Sequence, residues 1–224
     1  MNILQLVKMK AIISLILIMA SMSAGHAQDN FMFVFLNTNQ QRKVLPQTAV
    51  DSLQKGHLAN ITKLAREDKL HVAGPFHGGG GIFILNTTSL DSASKWISTD
   101  PAISAGRFKI EILPWTPRIG SICLVDEESE MVEYTFVRFN THITKFNVQE
   151  APEWFMKHDK FINDLRKTGN IVSEGIFDNS DGSTLVMKGA LQKEVILSDP
   201  AVMNGILQPD IKTIWVGKGS FCEK

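Results

Sequence analysis

The chain has 224 residues, 44% of them hydrophobic and 21% charged, and its 23 basic residues balance 23 acidic ones. That is ordinary globular composition, with enough apolar material to bury a core. No basic stripe or cluster stands out, which argues against nucleic acid and against an anionic membrane surface as partners.

The first element is apolar. Lys8 and Lys10 form a short positive region, and Ala11 to Ala20 (AIISLILIMA) follows as a run too short to span a bilayer comfortably. Small residues then lead to Ala24-Gly25-His26-Ala27. This order predicts a secretory signal peptide over residues 1–27, cut after Ala27. An uncleaved anchor is the rival reading, and Met9-Lys10 also begins a shorter signal. Cleavage would remove two lysines and no acids, leaving a net charge of about −2. The protein would then be periplasmic or secreted, free of the membrane, in a space where disulfides persist.

The remaining chain repeats itself. "FVFLNT" (Phe33–Thr38) answers to "FVRFNT" (Phe136–Thr141), and "STDPAISAG" from Ser98 answers to "LSDPAVMNG" from Leu197. Two copies of one fold are expected, at roughly 29–118 and 130–220, joined by residues 119–129 with their acidic run Asp126-Glu127-Glu128. Each opens on a β-rich run, Phe31–Leu36 or Tyr134–Phe139. A helix follows. Leu53, His57, Ile61 and Leu64 share one helix face, and Trp154, His158, Ile162 and Leu165 have the same spacing. Pro152 suits the second helix start and Gly169 its end. Strands follow at Leu70–Pro75 and Ile171–Phe177, then at Ile82–Asn86 and Thr184–Lys188. A short helix (Leu90–Ser98 or Ala190–Leu197) leads to Asp-Pro, and a last strand closes each copy (Phe108–Trp115 or Ile211–Val216).

The order β-α-β-β-α-β predicts an α+β class. Each copy is a ferredoxin-like unit, an antiparallel sheet with two helices on one face. Phe31, Phe33 and Phe35 make the other face apolar as well, so that face needs a cover. The second copy is the obvious one, and the two sheets are expected to pack face to face. The product would be a monomer made of a pseudo-dimer, or a further homodimer of it.

"HGGGG" (His77–Gly81) looks catalytic, but the repeat sets it beside "DNSDG" (Asp178–Gly182), between consecutive strands in both copies. It reads as a hairpin tip. No G-x-S-x-G elbow accompanies it, as an oxyanion loop would require. No Lys-Ser/Thr follows it into a helix, as a phosphate loop would require. His71 and His77 share a strand face, but a metal site there lacks a third ligand.

His57 and His158 carry more information. Each occupies a position where the helix pattern calls for a hydrophobe. A satisfied core histidine is the bland reading. Against it, both copies keep the histidine and both keep Asp-Pro, at Asp100-Pro101 and Asp199-Pro200. A carboxylate beside an imidazole fixes its tautomer and strengthens it as a base. The Asp-Pro pairs also read as turns or helix caps.

The first-helix histidine, "GPF" (Gly74–Phe76), "DP" (Asp100-Pro101) and "PW" (Pro114-Trp115) resemble the YciI-like (YCII-related) family. The resemblance implies small ferredoxin-like domains that pair their sheets as a dimeric α+β barrel. It also implies a catalytic His and Asp in a cleft, carried here by His57 with Asp100 and by His158 with Asp199. The wider group implied includes isomerases, lyases, dehalogenating enzymes and monooxygenases acting on small molecules, mostly without a metal. The second copy departs from the pattern, with Ile176 in place of Pro75 and Ile214-Trp215 in place of "PW".

"GSIC" and "GSFC" put Cys123 and Cys222 at equivalent positions. In a face-to-face pair near a two-fold axis such residues meet, so a Cys123–Cys222 disulfide is expected, with two free buried thiols as the alternative. The functional expectation is an exported enzyme without cofactor or metal, using His57 and Asp100 on a small organic molecule. The competing expectations are a module that binds a small molecule without turnover, and a structural pseudo-dimer.

Overall fold

A computed structural model describes residues 30–142, 149–178, 182–189 and 193–223. The expected signal peptide lies outside these residues, as do most of the second hairpin tip and residues 190–192.

The first half runs β1 (Phe31–Thr38), α1 (Gln47–Arg66), β2 (Leu70–Pro75), β3 (Gly81–Leu85), α2 (Leu90–Ile97), α3 (Pro101–Ser104) and β4 (Phe108–Ile119). The second half runs β5 (Met131–Thr141), α4 (Ala151–Arg166), β6 (Ile171–Phe177), β7 (Ser183–Lys188), α5 (Lys193–Leu197), α6 (Pro200–Met203) and β8 (Leu207–Gly217). The protein is therefore mixed α+β, as its hydrophobic periods predict.

The strands form one antiparallel sheet in the order β2-β3-β1-β4-β6-β7-β5-β8. This corrects the picture of two separate sheets. The halves join edge to edge through β4 and β6, with Trp115 opposite Phe177 and Pro117 opposite Gly175. Joining removes two free edges that would otherwise expose unpaired N–H and C=O groups. It also explains why β4 runs past its expected end at Trp115: Trp115, Thr116, Pro117 and Ile119 all have partners on the other half. The outermost strands meet as well. Phe76 bridges to Ile214, and His77 donates its backbone N–H to the Thr213 carbonyl at 2.9 Å.

Alternation along β1 sorts its side chains between two cores. Phe31, Phe33 and Phe35 enter a central cluster shared by both halves, with Trp115, Phe136, Phe177, Ile214 and Val216. Met32, Val34 and Leu36 face the helices, with Leu64, Phe83, Ala93 and Ile97. Val137, Phe139, Ile162, Leu185 and Ile196 form the matching helix-side core of the second half. The apolar face left without a cover in its own half is thus covered by the other. Glycine makes one of these approaches possible. A Cβ on Gly175 would lie 2.4 Å from the Trp115 ring, whose Nε1–H donates to Thr184 Oγ1 at 2.9 Å.

Cys123 and Cys222 form a disulfide with Cα atoms 5.2 Å apart. The Cys123 amide also donates to the Ser220 carbonyl, so the ends of both halves are tied by backbone as well.

Candidate active site

Asp100 does two jobs. It is the N-cap of α3, where its Oδ1 accepts the amide hydrogens of Ala102 at 2.8 Å and Ile103 at 3.1 Å. Pro101 follows at the first helical position, where a missing N–H costs nothing. Oδ2 faces α1 and accepts a hydrogen bond from His57 Nδ1 at 2.7 Å. The helix-cap reading of Asp-Pro and the histidine-partner reading therefore both hold. The carboxyl is wholly buried. Burial is the largest influence and pushes its pKa up, but the His57 hydrogen bond and charge, with the two amides, outweigh it and hold it below the ordinary 3.8.

An ionised Asp100 only accepts, so the ring nitrogen facing it carries the hydrogen. In the neutral imidazole that leaves the lone pair on Nε2. The ring is clamped by stacking on Phe83, centroids 5.9 Å apart, and by Phe108 at 5.8 Å. Gly56 brings these parts together. A Cβ there would lie 2.6 Å from Pro101 Cγ, so a bare backbone on α1 lets α3 seat next to His57.

Beside His57 lies a cavity of about 310 Å³. Its walls include Thr38, Leu53, Pro75 and Phe108, and the hairpin residues Gly79 and Gly80. Gly78, Gly79 and Gly80 form a hairpin tip of positive-φ residues before β3, and Gly79 and Gly80 also form the rim of this cavity. A Cβ on Gly80, at φ +76°, would lie 2.4 Å from the Leu36 carbonyl oxygen.

The second half carries the same pair. His158 Nδ1 donates to Asp199 Oδ2 at 2.5 Å, and Asp199 Oδ1 caps α6 at the Ala201 amide. His158 is buried against the edge of Phe139, and its Nε2 has no partner among the described residues. A cavity of about 530 Å³ adjoins it, with Thr141, Ile176 and Leu207 at the positions that Thr38, Pro75 and Phe108 occupy in the first half.

The charges differ. β4 reaches across to place Arg118 at the second cavity, where it donates to Glu174 at 2.5 and 3.0 Å and pairs with Asp159 at 3.0 Å. Burial works against the Arg118 charge, yet those two acids hold its pKa above the ordinary value. The first cavity instead has Arg42 and Arg107, and neither has an acidic partner among the described residues. Sequence reasoning missed both. They sit in loops without periodicity, and Arg107 aligns with Ile206, so the repeat did not flag it.

His71 and His77 lie elsewhere. His71 Nε2 is 2.8 Å from Asp68 Oδ1, and His77 packs near Trp215. No group of three metal-binding side chains converges among the described residues.

Residues 32–116 match the family model of the YCII-related domain. No curated protein matches the chain in sequence. Among solved structures, one of a candidate monooxygenase from Fusobacterium nucleatum subsp. nucleatum is similar, at 8% identity and a TM-score of 0.45, over 86% of this chain and 94% of that one.

Proposed function

We propose, for a chain whose residues 32–116 are a YCII-related domain, an acid–base enzyme that acts without a cofactor on a small organic molecule. His57 is its proton-transfer group and Asp100 its holder. The observation that carries this reading is the 2.7 Å contact between His57 Nδ1 and Asp100 Oδ2 beside an open cavity. A general base needs a free lone pair, a fixed ring and room for the substrate within hydrogen-bond reach.

In the proposed cycle Nε2 takes a proton from a substrate C–H or O–H. The electron pair left behind shifts into a neighbouring bond. The imidazolium is stabilised by Asp100, and Nε2 then returns the proton to another carbon or to the leaving group. The outcomes are isomerisation and elimination, and His57 ends each cycle as it began. His158 with Asp199 is proposed as a second, separately tuned site. The unpartnered Nε2 of His158 beside its cavity supports this.

The architecture is proposed to be a tandem duplication of ferredoxin-like units, at roughly 29–118 and 130–220, curled into an intramolecular dimeric α+β barrel. Supporting it are the identical element order, the paired His–Asp contacts, a core shared by both halves and register shifts at equivalent points of β2 and β6. Export to the periplasm or beyond is proposed from the charge and hydropathy order of residues 1–27, and the Cys123–Cys222 disulfide supports an oxidising compartment.

Proton abstraction is testable before the substrate is known. A panel of lactones, oxo acids and halogenated aromatics is incubated with protein in D₂O, and loss of C–H signals is followed by proton NMR. Exchange should fall about 100-fold or more in His57→Asn. Exchange that survives in the His57→Asn, His158→Asn double variant would refute the reading.

A further inference from the structure

We propose that the cavity beside His57 takes a small organic carboxylate, with Arg42 and Arg107 as its anion-holding residues. The proposal rests on the reading of that cavity as the ligand site. Its wall is divided. Val50, Leu53, Pro75 and Phe108 make one part apolar, and the two guanidiniums supply the charge. Arg42 and Arg107 also line an adjoining cavity of about 320 Å³ together with Lys43, so the approach is cationic. Among the described residues no Asp or Glu lines either cavity.

The arginines are held but not neutralised. Arg107 Nη1 donates to the Lys43 carbonyl at 2.7 Å, and Arg42 Nη1 to the Asn39 carbonyl at 3.3 Å. Asn39 fastens the two loops, donating its amide to the Arg107 carbonyl and its side-chain Nδ2 to the Gly106 carbonyl. Each guanidinium thus keeps donors with no protein acceptor among the described residues. A guanidinium fork matches a carboxylate in shape and charge. Positive charge that no acid offsets raises the local concentration of anions. A cavity of this size suits one small molecule with an apolar body. The second cavity is the internal contrast. Its arginine is already committed to Glu174 and Asp159, Asp178 lines it too, and buried Ile206 replaces Arg107.

The test uses benzoate against its uncharged twin benzamide. Calorimetric titration should show benzoate binding at least about tenfold tighter. Arg107→Gln and Arg42→Gln should each weaken benzoate by about five- to tenfold and leave benzamide unchanged, and Arg107→Lys should recover part of the loss. In NMR spectra the His57 ring signals should move and those of His158 should stay. The proposal is overturned by equal affinities for the two probes, by an Arg42→Gln, Arg107→Gln double variant that binds benzoate normally, by absence of saturable benzoate binding, or by movement of His158 alone. His57→Asn separates the two readings. It should keep benzoate affinity within about twofold while deuterium exchange is lost, so the anion site stands or falls independently of the base.

Discussion

Asp100→Asn is the most informative single change, because it alters one atom of the dyad and spares the helix cap. Asn retains an oxygen for the amides of Ala102 and Ile103, and it caps helices about as well as Asp. Its NH₂ would then face His57 Nδ1 in place of Oδ2, 2.7 Å away. Two donors cannot share that contact, so the imidazole must move its hydrogen to Nε2. A charge-assisted hydrogen bond becomes a neutral one about half as strong, a loss of roughly 1–1.5 kcal/mol. For a chain of this length that is a Tm lower by about 3–5 °C. Asp100→Ala loses the cap and the bond together and strands buried donors, at about 3–4 kcal/mol. Urea unfolding gives the two stabilities, and long-range ¹⁵N–¹H correlation reads the tautomer. The expected result is a small stability loss for Asn, a larger one for Ala, and a His57 lone pair turned away from the cavity, with proton exchange lost. If Asn costs as much as Ala, or if His57 keeps its hydrogen on Nδ1, the dyad argument fails.

The same carboxyl predicts an acid limb. Its folded pKa lies below the unfolded value, so its stabilisation is complete above pH about 4 and is lost as pH falls through the folded pKa; Asp100→Asn should flatten stability against pH there. Gly56→Ala gains up to about 1 kcal/mol of helix propensity but drives a methyl into Pro101, at about 1–3 kcal/mol. Proton exchange should drop about tenfold and recover when Pro101→Ala is added, and a drop that the second change cannot rescue would refute the seating role. Reducing the disulfide, which spans 99 residues of sequence, should cost about 4 kcal/mol in urea unfolding, as should Cys123→Ser with Cys222→Ser, and a change under about 1 kcal/mol would remove it as a clamp.

What was legible from sequence follows from which interactions are local. β2 and β6 are found where their apolar runs place them, because a run between turn residues sets its own limits. His57 with Asp100 was legible only through the sequence likeness of the two halves, since 43 residues separate the pair and one half alone offers no reason to join them. The ends of β4, β5 and β8 were not legible. They extend because a neighbouring strand offers hydrogen bonds, and that neighbour is invisible to a local pattern. Gly56 was missed for a related reason. A glycine inside a helix reads as a flaw until the element packed on it is known.

The likeness of the halves marks the residues that both carry and leaves unmarked those that one carries alone. His57 and His158, Asp100 and Asp199, Cys123 and Cys222 all stand out because each has a twin. Specificity should lie where twins part: Gln54 against Phe155, Pro75 against Ile176, Arg107 against Ile206. At each of these positions the second half is the more apolar, while its arginine arrives from β4 already paired to acids. The same base in two cavities therefore meets two electrostatic fields. A carboxylate is favoured beside His57, where its charge meets unpaired guanidiniums. Beside His158 the same ligand would have to displace Glu174, itself buried and bonded to Arg118, and strand that charge. Loss of the arginines beside His57 should thus abolish anion selectivity in that cavity without transfer to the other, because Arg118, the guanidinium that lines the cavity beside His158 among the described residues, is already paired to acids.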